Sequence, residues 1–218
     1  MRKIEPAQIV VFLLLLALAV AIAAAVTWLA LGRVPLGDFR GVVMTVVGVV
    51  LFYVAAIAIF RLFLRLRPLP RGPIERGSPA EFTYHVYLLF FLLIFYPVMF
   101  SSIVPVPLMR LFYQALGARM GPNTYSGGVL FDPPFLELGA NTIVGQRALV
   151  IPHVIEGDRL EHHLIRIGDN VTIGAHAIVM SDVEIGDGAI VSAAAVVSKG
   201  TRIGPGEIWG GVPARRLK

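Results

Sequence analysis

The chain has no cysteine and is poor in charge, with only 15% Asp, Glu, Lys and Arg among its 218 residues. Without a thiol there is no disulfide framework, no thiolate zinc site and no cysteine nucleophile. The scarcity of charge is matched by an apolar fraction of 56% and a mean hydropathy of +0.77, above that of an average soluble domain, so part of the chain must sit in lipid. Acidic residues are the scarcer sign, 14 against 19 basic, for a net charge of +5. The arginines gather beside the hydrophobic segments, which points to anionic lipid headgroups and argues against nucleic acid as the partner.

Three apolar runs precede residue 117. Residues 9–31 are long enough to span a bilayer as a helix, and Arg2 and Lys3 precede them. The run Ala23-Ala24-Ala25 would suit a signal-peptide cleavage site, but the apolar core is longer than such a signal requires. A short turn with Pro35, Gly37 and Asp38 leads into a second run, 42–60, which predicts a helical hairpin. Arg61, Arg65, Arg67, Arg71 and Arg76 follow, interleaved with Pro68, Pro70 and Pro73. The positive-inside bias puts this loop and the N-terminus in the cytoplasm, as an irregular strip on the headgroups or a solvated linker. The third run, 82–104, is interrupted by Pro97 and followed by Pro105 and Pro107. It predicts a broken segment that enters the membrane, turns over 97–102 and returns through 108–116, with His85 at the interface. The membrane domain is thus expected over 1–117.

A different order governs 118–218. From Ile167, a large apolar residue recurs every six positions, at Ile173, Val179, Ile185, Val191, Val197, Ile203 and Trp209. Small or β-branched residues recur four positions later, at Val171, Ala177, Val183, Ala189, Ala195 and Thr201. A six-residue period suits neither an α-helix nor a strand in a flat sheet. It suits a triangular coil in which each unit is a short strand plus a corner, with the apolar residue inside and glycine at the corner. Counting back gives Val150, Val144, Leu138 and Met120, with a degenerate capping coil between the last two and Trp209 as the cap at the other end. One insertion, 156–166, breaks the frame after His153-Val154-Ile155, and insertions at a solenoid corner usually carry function.

His153 stands where the last regular unit leaves the coil, so its ring can project while its backbone stays fixed. A neutral imidazole suits the removal of a proton near neutral pH, and Glu156 or Asp158 is close enough in sequence to orient its second nitrogen. His162 and His163 lie within the insertion, and His176 points outward from a regular unit; all three are candidates for contact with a substrate.

The repeat, including the ending Gly211-Val212-Pro213-Ala214-Arg215, resembles the left-handed β-helix of the hexapeptide acyltransferases. The order His153, loop, Ile167-Gly168-Asp169-Asn170-Val171 resembles the general-base region of hexapeptide O-acetyltransferases. The block 153–159 is similar to one in the membrane-embedded C-terminal region of poly-lysine-synthetase-type peptide synthetases. A serine-acetyltransferase-like pattern would put the base at His162 or His163, but Leu164 stands where that pattern has proline. With the apolar runs, the expected fold is an α-helical transmembrane domain followed by a left-handed parallel β-helix, and the resemblance, which covers about the last hundred residues, implies a homotrimer with active sites between subunits. It implies acetyl-CoA or another acyl-CoA as co-substrate, its pantetheine arm near Gly174, Ala193 and Ala194 and its phosphates near Lys199, Arg202, Arg215 and Arg216. The expected function is transfer of an acyl group to a hydroxyl or amine of a lipid-linked or amphiphilic acceptor, at the inner membrane with the coil in the cytoplasm. The γ-type carbonic anhydrases share the prism, but Ala175 and Met180 occupy the zinc-ligand positions and cannot ligate a cation, so no metal is expected. A non-catalytic trimeric membrane scaffold is the alternative reading.

Overall fold

The computed structural model describes residues 2–101 and 103–218. They form two compact units, one of residues 2–69 and 77–94, the other of 70–76 and 95–218. The boundary expected at 117 marks where the coil's first strand begins, Arg119–Met120, while the compact unit that holds the coil reaches back to Phe95.

The helical unit is built from α1 (Pro6–Leu31), α2 (Arg40–Leu66) and α3 (Pro79–Phe90). Pro6 and Pro79 each open a helix at a position whose N–H needs no partner, and the Ser78 hydroxyl accepts from the Glu81 amide at 3.1 Å. α1 is apolar on all sides and buries its small residues Ala19 and Ala23, as α2 buries Ala55 and Ala56; Thr27 and Gly48 face each other where the two helices meet. Small residues allow such close approach in a lipid setting. Phe90 of α3 meets Phe12 of α1 edge-on at 5.1 Å and Phe60 of α2 at 5.8 Å, joining the three helices. Leu13, Leu14, Leu29, Val42 and Val50 point outward. The Arg2 guanidinium bonds Glu81 at 3.0 Å, so α1 and α3 begin on the same side of this bundle. His85 is buried in this bundle, 2% exposed, with its ring beside Tyr84.

Pro6–Leu31, Gly37–Leu66 and Pro79–Phe100 are each long and apolar enough to cross a membrane. The third segment departs from its expected shape. A wide π turn, Phe91–Phe95, precedes Pro97, which sits in the first turn of α4 (Tyr96–Phe100). A proline ring clashes with the carbonyl four residues back, and widening the preceding turn relieves this without ending the helix. The chain therefore stays helical through Pro97, and the break falls after Phe100, before α5 (Val106–Leu116). Part of the turn expected over 97–102 falls on Ser102, outside the described residues.

The coil is a left-handed parallel β-helix of three sheets. Ile167 lies in register with Leu138 and Ile185, Ile173 with Val144 and Val191, and Val179 with Val150 and Val197. These residues and the small ones four positions later are buried almost without exception. The strands Arg119–Met120, Tyr125–Ser126 and Val129–Leu130 complete the irregular first turn.

Glycine's part differs from the expected one. The left-handed corner residues also recur every six positions, but they are Asn170, His176, Asp182, Gly188, Ala194, Gly200 and Gly206, mostly not glycine. Gly174 serves close approach instead: a Cβ there would collide with the backbone nitrogen of Ala193 in the next turn.

The insertion is a β-hairpin, His153–Glu156 against Arg159–His162, with His153 opposite His162. Gly72–Pro73 adds a third antiparallel strand, and the Ile74 amide donates to the Leu160 carbonyl at 2.8 Å. The proline-rich stretch expected to be an irregular strip thus pairs, in part, with the insertion.

Candidate active site

The first irregular turn of the coil and the insertion together build one polar cluster. Asp132 stands at φ 43°, ψ 62°, a left-handed conformation that is strained for a non-glycine residue, and Pro133 and Pro134 fix the chain after it. This bend turns its carboxylate inward, where it is 5% exposed. Its Oδ2 lies 2.5 Å from Nδ1 of His153. The ring of His153 keeps about a quarter of its surface exposed and meets the Phe131 ring edge-on at 5.9 Å. Burial draws its pKa down, but the hydrogen bond and charge of Asp132 outweigh burial and hold it above histidine's ordinary range.

Glu156 and Asp158 do not orient His153. The Glu156 carboxylate accepts from Lys199 Nζ at 3.0 and 3.1 Å, and Asp158 lies 3.6 Å from Arg76, both on the exposed end of the hairpin. The reason is the hairpin itself: its turn carries residues 156–159 away from the coil, whereas Asp132 lies one turn back beneath His153. The register displays this relation, since Leu130 pairs with Val150 and the Phe131 amide donates to the Val150 carbonyl. Counting one full turn back from the histidine was the signal in the sequence; the insertion and the irregular first turn obscured it.

His162 is fully buried, stacked on Phe135 at 4.7 Å, with Nε2 3.9 Å from Asp132 Oδ1. Burial keeps it below the ordinary range, against the pull of Asp132. His163 reaches outward, its Nε2 2.9 Å from Glu161, which also accepts from Arg159 at 2.6 and 2.9 Å. Arg159 first, then His163, bring the Glu161 carboxyl down to about 2. His176 occupies an exposed corner of the regular coil, apart from this cluster. Asp132 is thus bonded to His153, with His162 buried nearby beyond hydrogen-bond distance, and of these two rings His153 is the one that reaches solvent.

The residues expected near CoA are spread along the coil. Ala193 and Ala194 are exposed, and Gly174 is half-buried against Ala193. Lys199 is bound to Glu156, and Arg202 lies beside Asp182 and Glu184 at 3.3 and 3.5 Å. Arg216 pairs with Glu207 at 2.9 Å, whereas Arg215 has no carboxylate within 4 Å among the described residues. Trp209 is half-buried near the end of the coil and donates to Glu207 at 2.8 Å, in keeping with a cap. A concavity of about 620 Å³ runs as a trough along the ladder Arg119, Glu137, Arg166, Glu184 and Arg202, and none of its lining residues is a histidine.

A polar cluster on a left-handed β-helix defines the structural class to compare. Residues 165–199 match the family model for the bacterial transferase hexapeptide, six repeats. Among solved structures, a hexapeptide-repeat acetyltransferase from Vibrio cholerae is similar at 25% identity and a TM-score of 0.44, over 48% of this chain and 63% of that one. A maltose O-acetyltransferase from Clostridium difficile is similar at 25% identity and a TM-score of 0.44, over 48% and 59%. A galactoside acetyltransferase in complex with coenzyme A is similar at 21% identity and a TM-score of 0.44, over 56% and 75%. The chain spans about three fifths of the length of the first two. No curated protein matches the chain by sequence.

Proposed function

We propose that this chain is a membrane-embedded acyltransferase that moves an acyl group, acetyl in the simplest case, from acyl-CoA to a hydroxyl or amine of a membrane-associated acceptor. The observation that carries the reading is the His153–Asp132 pair at the junction of coil and insertion. The repeat that follows the insertion, residues 165–199, matches a model named for the bacterial transferase hexapeptide.

In this mechanism Nδ1–H of His153 donates to Asp132, which leaves Nε2 as the basic nitrogen. Nε2 takes the acceptor's proton as the acceptor oxygen or nitrogen attacks the thioester carbonyl. Asp132 stabilises the imidazolium that forms. When the tetrahedral intermediate collapses, the carbon–sulfur bond breaks, the imidazolium returns its proton and CoA leaves as the thiol. Glu156 and Asp158, paired elsewhere, take no part. His162 lies buried 3.9 Å from the carboxylate, while His163 and His176 remain candidates for substrate contact, His176 from a neighbouring subunit.

The CoA would lie along Gly174, Ala193 and Ala194. Of the basic residues, Arg215 is available to a phosphate as it stands, whereas Lys199 and Arg202 must first leave their carboxylates. A homotrimer would complete the groove from a second coil. The N-terminus and the coil are assigned to the cytoplasmic side of the inner membrane, where acyl-CoA is made, with the third segment re-entering. Three apolar segments exceed what anchoring needs and favour a lipid-linked or amphiphilic acceptor. The test is release of CoA thiol from acetyl-CoA by the full chain in lipid vesicles that supply the acceptor: His153→Ala should slow it at least about a hundredfold, and equal release by both proteins would refute the reading.

A further inference from the structure

The function proposed above makes no use of α5, the helix that follows the third apolar segment and belongs to the same compact unit as the coil. Met109, Tyr113 and Leu116 are buried and, at spacings of four and three residues, share one side of it. That side is bonded to the first turn of the coil. The Tyr113 hydroxyl donates to the Gly128 carbonyl and accepts from the Leu130 amide, each at 3.3 Å, and Gln114 Nε2 donates to the Met120 carbonyl at 3.0 Å. The strand that leads to Asp132 is thus fixed to this helix.

The opposite side carries Leu108, Leu111 and Ala115, at spacings of three and four residues, and all three are exposed, Leu108 at 53% and Leu111 at 59%. A helix that is apolar on two opposite sides is covered on both. The coil covers one, and two observations name what covers the other. The first is continuity: the third segment able to cross a membrane ends at Phe100, and the six Cα steps from there to Val106 reach no more than about 22 Å. The helix therefore starts close to where that segment leaves the bilayer. The second is charge. No Asp or Glu occurs between Glu81 and Asp132. Arg110, the single charge on α5, donates to the Gly121 carbonyl at 2.9 Å, has no carboxylate within 4 Å among the described residues and keeps its Nε without a partner. An uncompensated cation beside an apolar stripe, in a stretch without acids, is complementary to anionic headgroups over hydrocarbon.

We infer that α5 lies flat in the lipid interface, with Leu108, Leu111 and Ala115 toward the acyl chains and the first turn of the coil seated on its other side. The inference rests on the membrane part of the reading above and makes α5 the returning end of the re-entering segment. Helices of this kind bury their apolar side about 5–10 Å into the boundary between headgroups and chains. The strand that leads to Asp132 is then held over the headgroup layer.

The chain has no cysteine, so one introduced thiol gives the full chain a single site for a fluorescent label. Leu108→Cys, Leu111→Cys and Ala115→Cys, all at exposed positions, are compared in phosphatidylethanolamine–phosphatidylglycerol vesicles, with Leu18→Cys on α1 and Thr172→Cys on the coil as references. Quenching is read with lipids that carry a nitroxide near the headgroup or deep in the chain, and with iodide in the water. The three α5 labels should be quenched more by the shallow nitroxide than by the deep one, and to a similar extent at each position. Leu18→Cys should answer to the deep nitroxide and Thr172→Cys to iodide alone. A helix along the membrane normal would instead separate positions 108 and 115 by about 10 Å in depth, at 1.5 Å per residue, and such a gradient would overturn the inference. Iodide quenching on α5 as strong as at Thr172→Cys would overturn it too, by leaving the stripe in water. So would labels shielded from both lipid and iodide, which would give the stripe to a second copy of the chain. If Leu18→Cys also misses the deep nitroxide, the membrane reading itself falls. Shallow labels in a protein that never releases CoA would sink the acyltransferase reading and leave the seat of α5 standing.

Discussion

Within one coil, the turns over 167–209 and those over 119–166 differ in how they treat polar groups. In the regular part each position repeats its neighbour. Ile167 and Ile185 stack inside, and Glu184 and Arg202 pair outside at 3.5 Å, a ladder that runs on across the boundary to Arg166 at 2.9 Å and Glu137 at 3.3 Å. The ladder's charges are exposed and compensate one another, and the repeated inward positions are apolar. In the irregular part, Asp132 and His162 are buried and share one small volume. Burying ionisable groups is costly unless they are paired, and a strained residue such as Asp132 persists only when its surroundings fix it. The comparison teaches that the repeat supplies rigidity and the break in it supplies chemistry.

The largest expected effect lies in the irregular part. His153→Ala should lower acyl-transfer turnover about a hundredfold to ten-thousandfold, the usual contribution of a positioned base, with the circular dichroism of the coil unchanged. The regular part should respond in the opposite sense. Ile173→Ala, at a fully buried rung, should destabilise the coil by about 2–5 kcal/mol in denaturant melts. Smaller still is the ladder: Arg166→Ala removes two exposed ion pairs and should cost no more than about 1 kcal/mol. Glu156→Gln and Asp158→Asn should change turnover less than about twofold, since neither carboxylate reaches the histidine. A tenfold loss in either would restore the hairpin carboxylates to the site and blur the distinction between its tip and its base.

Legibility followed the same division. The interior of the coil could be read from Ile167 to Ile203 because a period of six leaves one solution for which side chains face inward. The apolar runs gave the helices, although the continuation through Pro97 depended on a π turn that no residue pattern announces. His153 stood out because it precedes the only long break in the frame. Its partner did not, because Asp132 and His153 are adjacent only through the stacking of one turn on the next. The strand at Gly72–Pro73 was hidden for a similar reason: a short pairing between distant segments leaves no periodicity. The glycines misled by type, since Asn170, Asp182 and Ala194 take the left-handed corners while Gly174 answers to the backbone of the following turn.

The pH dependence of CoA release, measured on the wild type, Asp132→Asn and Glu156→Gln, tests the His153–Asp132 pair most directly. The base must be deprotonated to act, so activity should rise with pH through the pKa of His153, which Asp132 holds above the ordinary value of about 6.5. Removing that charge should move the acid limb to lower pH and cut the plateau rate by about tenfold or more, because the imidazolium loses its stabiliser. Glu156→Gln should leave both limb and plateau in place. An acid limb that stays put in Asp132→Asn, or one that moves in Glu156→Gln, would contradict the assignment of the pair.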